Sequence, residues 1–281
     1  MYRNVETMIA APALEADGKR ARFAAVRELL AAKGLLAPSW PTPEADAGPV
    51  VEPDALPTGL PALDRLLPGG FPRRAVSEVL GPVACGKTTL VAHAVAAVTR
   101  ARRLAAWIDP RGEAYPPAFA RAGVELSRLL WVRPHGVRPG STNARDALWA
   151  AEVLLQSAAF EVVVLDASGL TFEPHGGRDE RGGAGPKERA TARMALERRA
   201  VVLRTAAETA GVALVVLGER GLPAPGAPPA LTLEVEMRAP QPPPQSQSHA
   251  HACAHVRVAR SRWGGAGREA CVELGEWGAA P

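Results

Sequence analysis

From Thr58 onward, short apolar runs alternate with stretches whose apolar residues recur every three or four positions. This alternation predicts parallel β-strands joined by crossover helices. The runs Ala75–Leu80, Leu104–Ile108, Leu129–Val132, Val162–Leu165 and Val212–Leu217 read as strands, and Thr88–Arg100, Pro117–Ala122, Ala144–Ser157 and Lys187–Ala210 as helices. Towards the C-terminus the period changes to two: Leu231, Leu233, Val235 and Met237 alternate with polar neighbours, and Val256–Arg260 and Ala270–Leu274 do so more weakly. Those three segments are expected to be antiparallel strands on one sheet edge.

Upstream the pattern differs. Phe23, Val26 and Leu30 fall on one face of a helix over Asp17–Lys33, with Arg20, Arg27 and Glu28 around them and Gly34 as a stop. The stretch from Pro38 to Pro57 is rich in Pro and acidic residues and extends the chain. The expected organisation is therefore an N-terminal helical segment (1–37), a Pro-rich linker (38–57) and a core (58–281). Within the core, mobile segments are expected near 174–185, which carries HGGRDERGGAG, and 220–250, which carries QPPPQSQS. The N-terminal helix can dock on a neighbouring copy or pack on its own core, and the pattern does not choose.

Composition adds limits. At 281 residues, 47% hydrophobic and 22% charged, the chain can bury a core, while 27 Gly and 27 Pro allow long irregular segments. A net charge of +4 permits contact with nucleic acid or an acidic partner and establishes neither. The three cysteines, Cys85, Cys253 and Cys271, are odd in number and widely spaced, so no disulfide framework is expected and a reducing cytoplasm is the expected location. No apolar run has membrane-spanning length, and Met1–Glu15 lacks the order of a signal peptide, so no membrane partner is expected.

The strongest chemistry lies in Gly81-Pro82-Val83-Ala84-Cys85-Gly86-Lys87-Thr88, followed by Thr89, between a predicted strand and a predicted helix. Glycines at both ends let backbone N–H groups turn toward anionic oxygens, and the helix presents its positive N-terminus. Lys87 can reach the outer phosphates of a nucleotide and Thr88 can ligate magnesium. A second element completes the pattern: Val162–Leu165 is an apolar strand ending in Asp166, where a parallel sheet places ligand-binding groups and a carboxylate can support the same magnesium ion.

A family then comes into view. Pro57-Thr58-Gly59-Leu60, Leu63-Asp64, Gly69-Gly70-Phe71-Pro72, Glu78 and the run Gly81–Thr89 resemble the opening of the RecA core ATPase. Trp107-Ile108-Asp109, Ala120–Val124, the Asp166 strand and Val256–Gly267 continue the likeness, which covers roughly 58–281 by motif order. It implies an α/β RecA-like P-loop NTPase core with a mainly parallel central sheet, C-terminal antiparallel edge strands, and ATP and Mg as cofactors. Arg260 and Arg262 align with a basic pair that in this family reaches a neighbouring subunit's terminal phosphate, a role that requires a homo-oligomer.

Two departures bear on activity. Family members that hydrolyse ATP carry Glu two residues after the Asp of the second strand; here that position is Arg111, which cannot accept a proton, and Glu113 is the remaining candidate catalytic base. After the strand Val212–Leu217, where the family senses nucleotide with a polar residue, Glu219 is followed by a short Pro-rich stretch. The segment 174–185 has Arg178 and Arg181 but no aromatic residue for base stacking. A RecA-like core with these departures most resembles the ImuA family of accessory proteins of inducible mutagenesis. The resemblance implies an ATP-binding role in SOS damage tolerance and translesion synthesis. The partners it implies are the Y-family polymerase-like ImuB, an error-prone DNA polymerase and RecA, with DNA contacted directly or through them. The alternatives are a DNA-stimulated recombinase ATPase and a non-hydrolysing interaction scaffold.

Three weaker patterns remain. His249, His251, Cys253 and His255 alternate, but strand neighbours two apart rarely close a metal tetrahedron. The helix Lys187–Ala210 is rich in Arg and reads first as a solvated helix, then as a DNA or partner surface. Tyr115 is a candidate to stack on adenine or to pack locally.

Overall fold

The computed structural model describes residues 54–133, 144–170, 186–222, 228–238 and 253–274, all in the part of the chain from Val51 onward. The expected N-terminal helix, the linker up to Pro53, the whole of 174–185 and most of 220–250 lie outside the described residues.

The strands are β1 (Ala55–Leu56), β2 (Phe71–Pro72), β3 (Ala75–Leu80), β4 (Ala105–Ile108), β5 (Leu129–Val132), β6 (Val162–Asp166), β7 (Ala213–Gly218), β8 (Leu231–Arg238), β9 (Cys253–Ser261) and β10 (Glu269–Glu273). The helices are α1 (Pro61–Leu66), α2 (Lys87–Arg100), α3 (Pro116–Arg121), α4 (Ala144–Gln156) and α5 (Pro186–Ala210). β1 and β2 form a small antiparallel pair, and the other strands form one eight-stranded sheet in the order β10-β9-β8-β3-β7-β6-β4-β5. From β8 to β5 every pairing is parallel, while β9 and β10 extend the sheet antiparallel. The three C-terminal segments are antiparallel to one another at one edge of the sheet, as expected, and β8 joins them to the parallel strands by pairing in parallel with β3. Alternation reveals which residues share a face but carries no strand direction, so the parallel join at β3 was not legible.

Side-chain alternation builds a core on each face. Val162 and Val164 of β6, with Ala213, Val215 and Leu217 of β7, pack toward α2 through Leu90, Val91 and Val95. Val163 and Leu165, with Leu214 and Val216, face Leu148 and Leu155 of α4 and Leu196 and Leu203 of α5. Strands covered on both faces read as continuous apolar runs, which is why β4, β6 and β7 were legible. The sequence Thr58–Asp64 supports α2 from outside: Asp64 Oδ1 accepts hydrogen bonds from Thr58 N (2.8 Å) and Thr58 Oγ1 (2.7 Å), fixing the entry to α1. Among the described residues no helix is long and apolar enough to cross a membrane.

One expectation is overturned. Cys253 and Cys271 are disulfide-bonded, with Cα atoms 5.9 Å apart. In the β9–β10 ladder Cys253 opposes Glu273 and Cys271 opposes His255, so the two cysteines are diagonal neighbours. A separation of 18 residues says nothing until the hairpin register is known.

Candidate nucleotide-binding site

The site gathers at the edge of the sheet where the parallel strands end. β3 runs into the Gly81–Gly86 turn and then α2, whose first N–H groups lack intrahelical acceptors and face the turn. Gly86 precedes the helix at φ +88°, ψ 2°, a left-handed conformation, and its carbonyl accepts the first helical bond from Leu90 N at 2.9 Å. A Cβ on Gly86 would lie 2.5 Å from Leu274 Cδ1 and 3.2 Å from Met237 Cε, so conformation and space both demand glycine. Gly81 is similarly confined: a Cβ there would lie 2.6 Å from Cys85 Sγ and run into the Val235 carbonyl. Pro82, Val83 and Ala84 form the exposed tip, with Ala84 at φ 61°, while Cys85 is buried beneath it.

Lys87 is only 6% exposed, and its Nζ donates to the carbonyl oxygens of Gly81 (3.2 Å) and Pro82 (3.0 Å). The ammonium thus lies inside the curve of the loop, where it can exchange carbonyl partners for phosphate oxygens. Thr88 is half-buried at the start of α2, and Thr89 is buried behind it. Asp166 closes β6, its Oδ1 accepting a hydrogen bond from Ser168 N at 3.0 Å. Burial raises the proton affinity of this carboxyl; the Ser168 hydrogen bonds and Lys87 pull the other way, and Asp109 adds to the rise. The loop, the lysine and two carboxylates therefore share one electrostatic neighbourhood. A carboxylate whose charge is opposed by burial and a second acid is suited to a cation, and Thr88 with Asp166 could hold magnesium.

The loop after β4 is organised differently. Asp109 is 1% exposed; Oδ1 accepts from Glu113 N (3.1 Å), and Oδ2 accepts from Ala114 N (3.1 Å) and Trp131 Nε1 (3.3 Å). These bonds staple Asp109–Ala114 onto the sheet. Arg111, where the resemblance led us to expect a catalytic Glu, pairs with the Glu113 carboxylate and lies against Gly169. Glu113 is thus exposed and occupied by a guanidinium of its own loop. Glu219 bridges from the end of β7, its Oε2 accepting from Gly169 N at 3.3 Å.

Arg260 and Arg262 do not join this group. Arg260 opposes Thr232, which opposes Glu78 two residues below the end of β3, and Arg262 N bonds Ala230 O beyond the start of β8. Both arginines are exposed. Cys253 is committed to Cys271 and His255 Nε2 lies 3.1 Å from Glu269 Oε2, while His249 and His251 lie outside the described residues. Among the described residues no three His, Cys, Asp or Glu side chains group to hold a metal. Tyr115 is exposed at the start of α3.

Sequence reasoning did not find the floor of the loop. Met237, Ala254 and Leu274 arrive under Gly86 from distant parts of the chain, and only the fold assembles them.

Comparison with known proteins shows where the likeness lies. Residues 46–180 match the RecA N-terminal domain family. That match takes in just under half of the chain. It is 38% identical over 112 residues to protein RecA of Picosynechococcus sp. (40% of this chain, 30% of that protein) and 41% identical over 121 residues to protein RecA of Salinispora tropica (42% and 32%). The likeness thus spans about a third of the length of these relatives. In solved structures, the RadB recombinase shares the fold with a TM-score of 0.54 at 21% identity, covering 77% of this chain and 94% of that one. The RecA-like architecture with a mostly parallel sheet is the one read from the sequence.

Proposed function

We propose that this chain is a RecA-type ATP-binding accessory factor in DNA repair, in which nucleotide occupancy governs assembly more than it drives rapid turnover. The observation that carries this reading is the contrast between two loops: the Gly81–Thr88 turn curves around the Lys87 ammonium, whereas the position of the catalytic Glu holds Arg111, paired to Glu113. In this reading Gly81–Thr89 hold the polyphosphate of ATP, and Thr88 and Asp166 hold magnesium. The ion neutralises phosphate charge; Lys87 does the same at the outer oxygens, and the N-terminus of α2 adds its dipole. Arg260 and Arg262, away from their own phosphate loop, serve a nucleotide only in a neighbouring copy, so homo-oligomerisation belongs to the proposal.

The finer role is that of an ImuA-type protein supporting error-prone translesion synthesis in the SOS response, with an ImuB-like polymerase partner and an error-prone DNA polymerase. The likeness to RecA over residues 46–180 and the altered β4 loop support it together. The test measures ATP hydrolysis by the full chain with and without single-stranded DNA. Slow turnover, unchanged by DNA, is expected. Strong stimulation by DNA, abolished in Glu113→Gln, would instead establish a recombinase-type ATPase.

A further inference from the structure

Three side chains lie against Gly86: Met237 of β8, Ala254 of β9 and Leu274, the residue after β10. The phosphate loop therefore rests on the antiparallel extension of the sheet. Among the described residues β10 is the outermost of these strands and pairs only with β9. Cys253 directly precedes Ala254, and Cys271 lies three residues before Leu274. Their bond joins the two outer strands on the face opposite Ala254, Val272 and Leu274, which point into the core. It is placed to hold the floor of the loop without touching the loop.

We propose that Cys253 and Cys271 form a reversible thiol–disulfide site whose state sets how firmly the phosphate loop is seated. Its effect on nucleotide rests on the ATP-binding reading above; its effect on the loop does not. Cys271 is exposed and Cys253 half-buried, so an external thiol can reach the pair, whereas the third cysteine, Cys85, is buried and free. The Cα separation of 5.9 Å lies in the range that a disulfide spans without moving the backbone. The reaction partner is a low-molecular-weight thiol. Its thiolate attacks the Cys271 sulfur and the Cys253 thiolate leaves; a second external thiolate attacks the mixed disulfide and releases Cys271. One protein disulfide and two external thiols become two protein thiols and one external disulfide, and the protons of the incoming thiols pass to the cysteine sulfurs. Once reduced, β10 keeps its ladder to β9, the His255–Glu269 contact, its packing against α1 and the burial of Val272 and Leu274, but loses its one covalent tie to β9, so its local opening becomes easier and withdraws Leu274 from Gly86.

The test compares the full chain reduced with dithiothreitol and oxidised with glutathione disulfide. Maleimide labelling after denaturation should count three thiols in the first state and one in the second. Hydrogen exchange should be faster after reduction in both Glu269–Glu273 and Gly86–Thr88, and ATP affinity should fall about fivefold. By reciprocity, ATP should make the pair harder to reduce by about 20 mV, the same factor expressed for a two-electron couple. The double variant C253S/C271S should match the reduced protein under both treatments. Equal loop exchange in the two states of the native chain would overturn the proposal, and so would a redox effect that persists in C253S/C271S, which would assign it to Cys85. Redox-dependent loop exchange without ATP binding in either state would support the proposal while refuting the nucleotide reading.

Discussion

The turn after β3 and the loop after β4 leave the same edge of one sheet, yet they spend their hydrogen bonds in opposite ways. In the first, glycine geometry and a buried lysine leave backbone N–H groups and a cation facing inward, where an anion can replace two carbonyl partners. In the second, Asp109 ties down the backbone of Glu113 and Ala114, and Arg111 neutralises Glu113. The difference teaches that one loop of this architecture can stay open to an anion while the other is a fixed structural element, which on the proposed function separates binding from turnover.

The comparison breaks most severely at Gly86. Gly86→Val should abolish ATP binding and cost roughly 1–3 kcal/mol of stability, because a β-branched residue would adopt a left-handed conformation against Leu274. Urea unfolding checks the second part, and unchanged stability would contradict the packing described. Arg111→Glu sharpens the other side: a carboxylate at this position should raise ATP turnover about a hundredfold, the low end of general-base effects, with affinity nearly unchanged. A steady-state assay giving no increase would show that something other than Arg111 limits the chemistry.

The smallest effect is expected at Glu78, below the phosphate loop. Its Oε1 accepts from Leu222 N at 2.8 Å, and burial raises its proton affinity above the ordinary value of 4.5, opposed by that hydrogen bond and by Arg260. The folded state then binds this proton more tightly than the unfolded state. The associated stability is present below pH 4.5 and is lost as pH rises through the raised folded value. Glu78→Gln should flatten that part of the stability profile while keeping an acceptor for Leu222. Thermal melts from pH 4 to 7 with the same slope in both proteins would count against it.

The parallel centre of the fold was legible because its strands are buried on two faces: Ala75–Leu80 coincides with the observed strand, and Val162–Leu165 extends only to Asp166. Leu129–Val132 also coincides, although this edge strand is only partly buried and was read from its apolar run alone. The phosphate loop was legible because its residues are contiguous. What escaped was non-local. β1 and β2 are two residues each and have no periodicity to read; β9 begins at Cys253 rather than Val256 because its partner β8 is long enough to pair there. The parallel setting of β8, the Cys253–Cys271 bond and the support of Gly86 by Leu274 follow from register, which pattern does not encode. Arg111 was recognisable as a departure, but its pairing with Glu113 and its seat on Gly169 needed coordinates.

Calorimetric titration of the full chain and of Lys87→Ala with ATP and magnesium addresses the phosphate loop most directly. The native chain should bind, and removing the ammonium should weaken binding by about 2 kcal/mol, or roughly thirtyfold, as loss of a charged hydrogen-bond donor requires. Equal affinity in the two proteins, or no heat of binding in the native chain, would contradict the account.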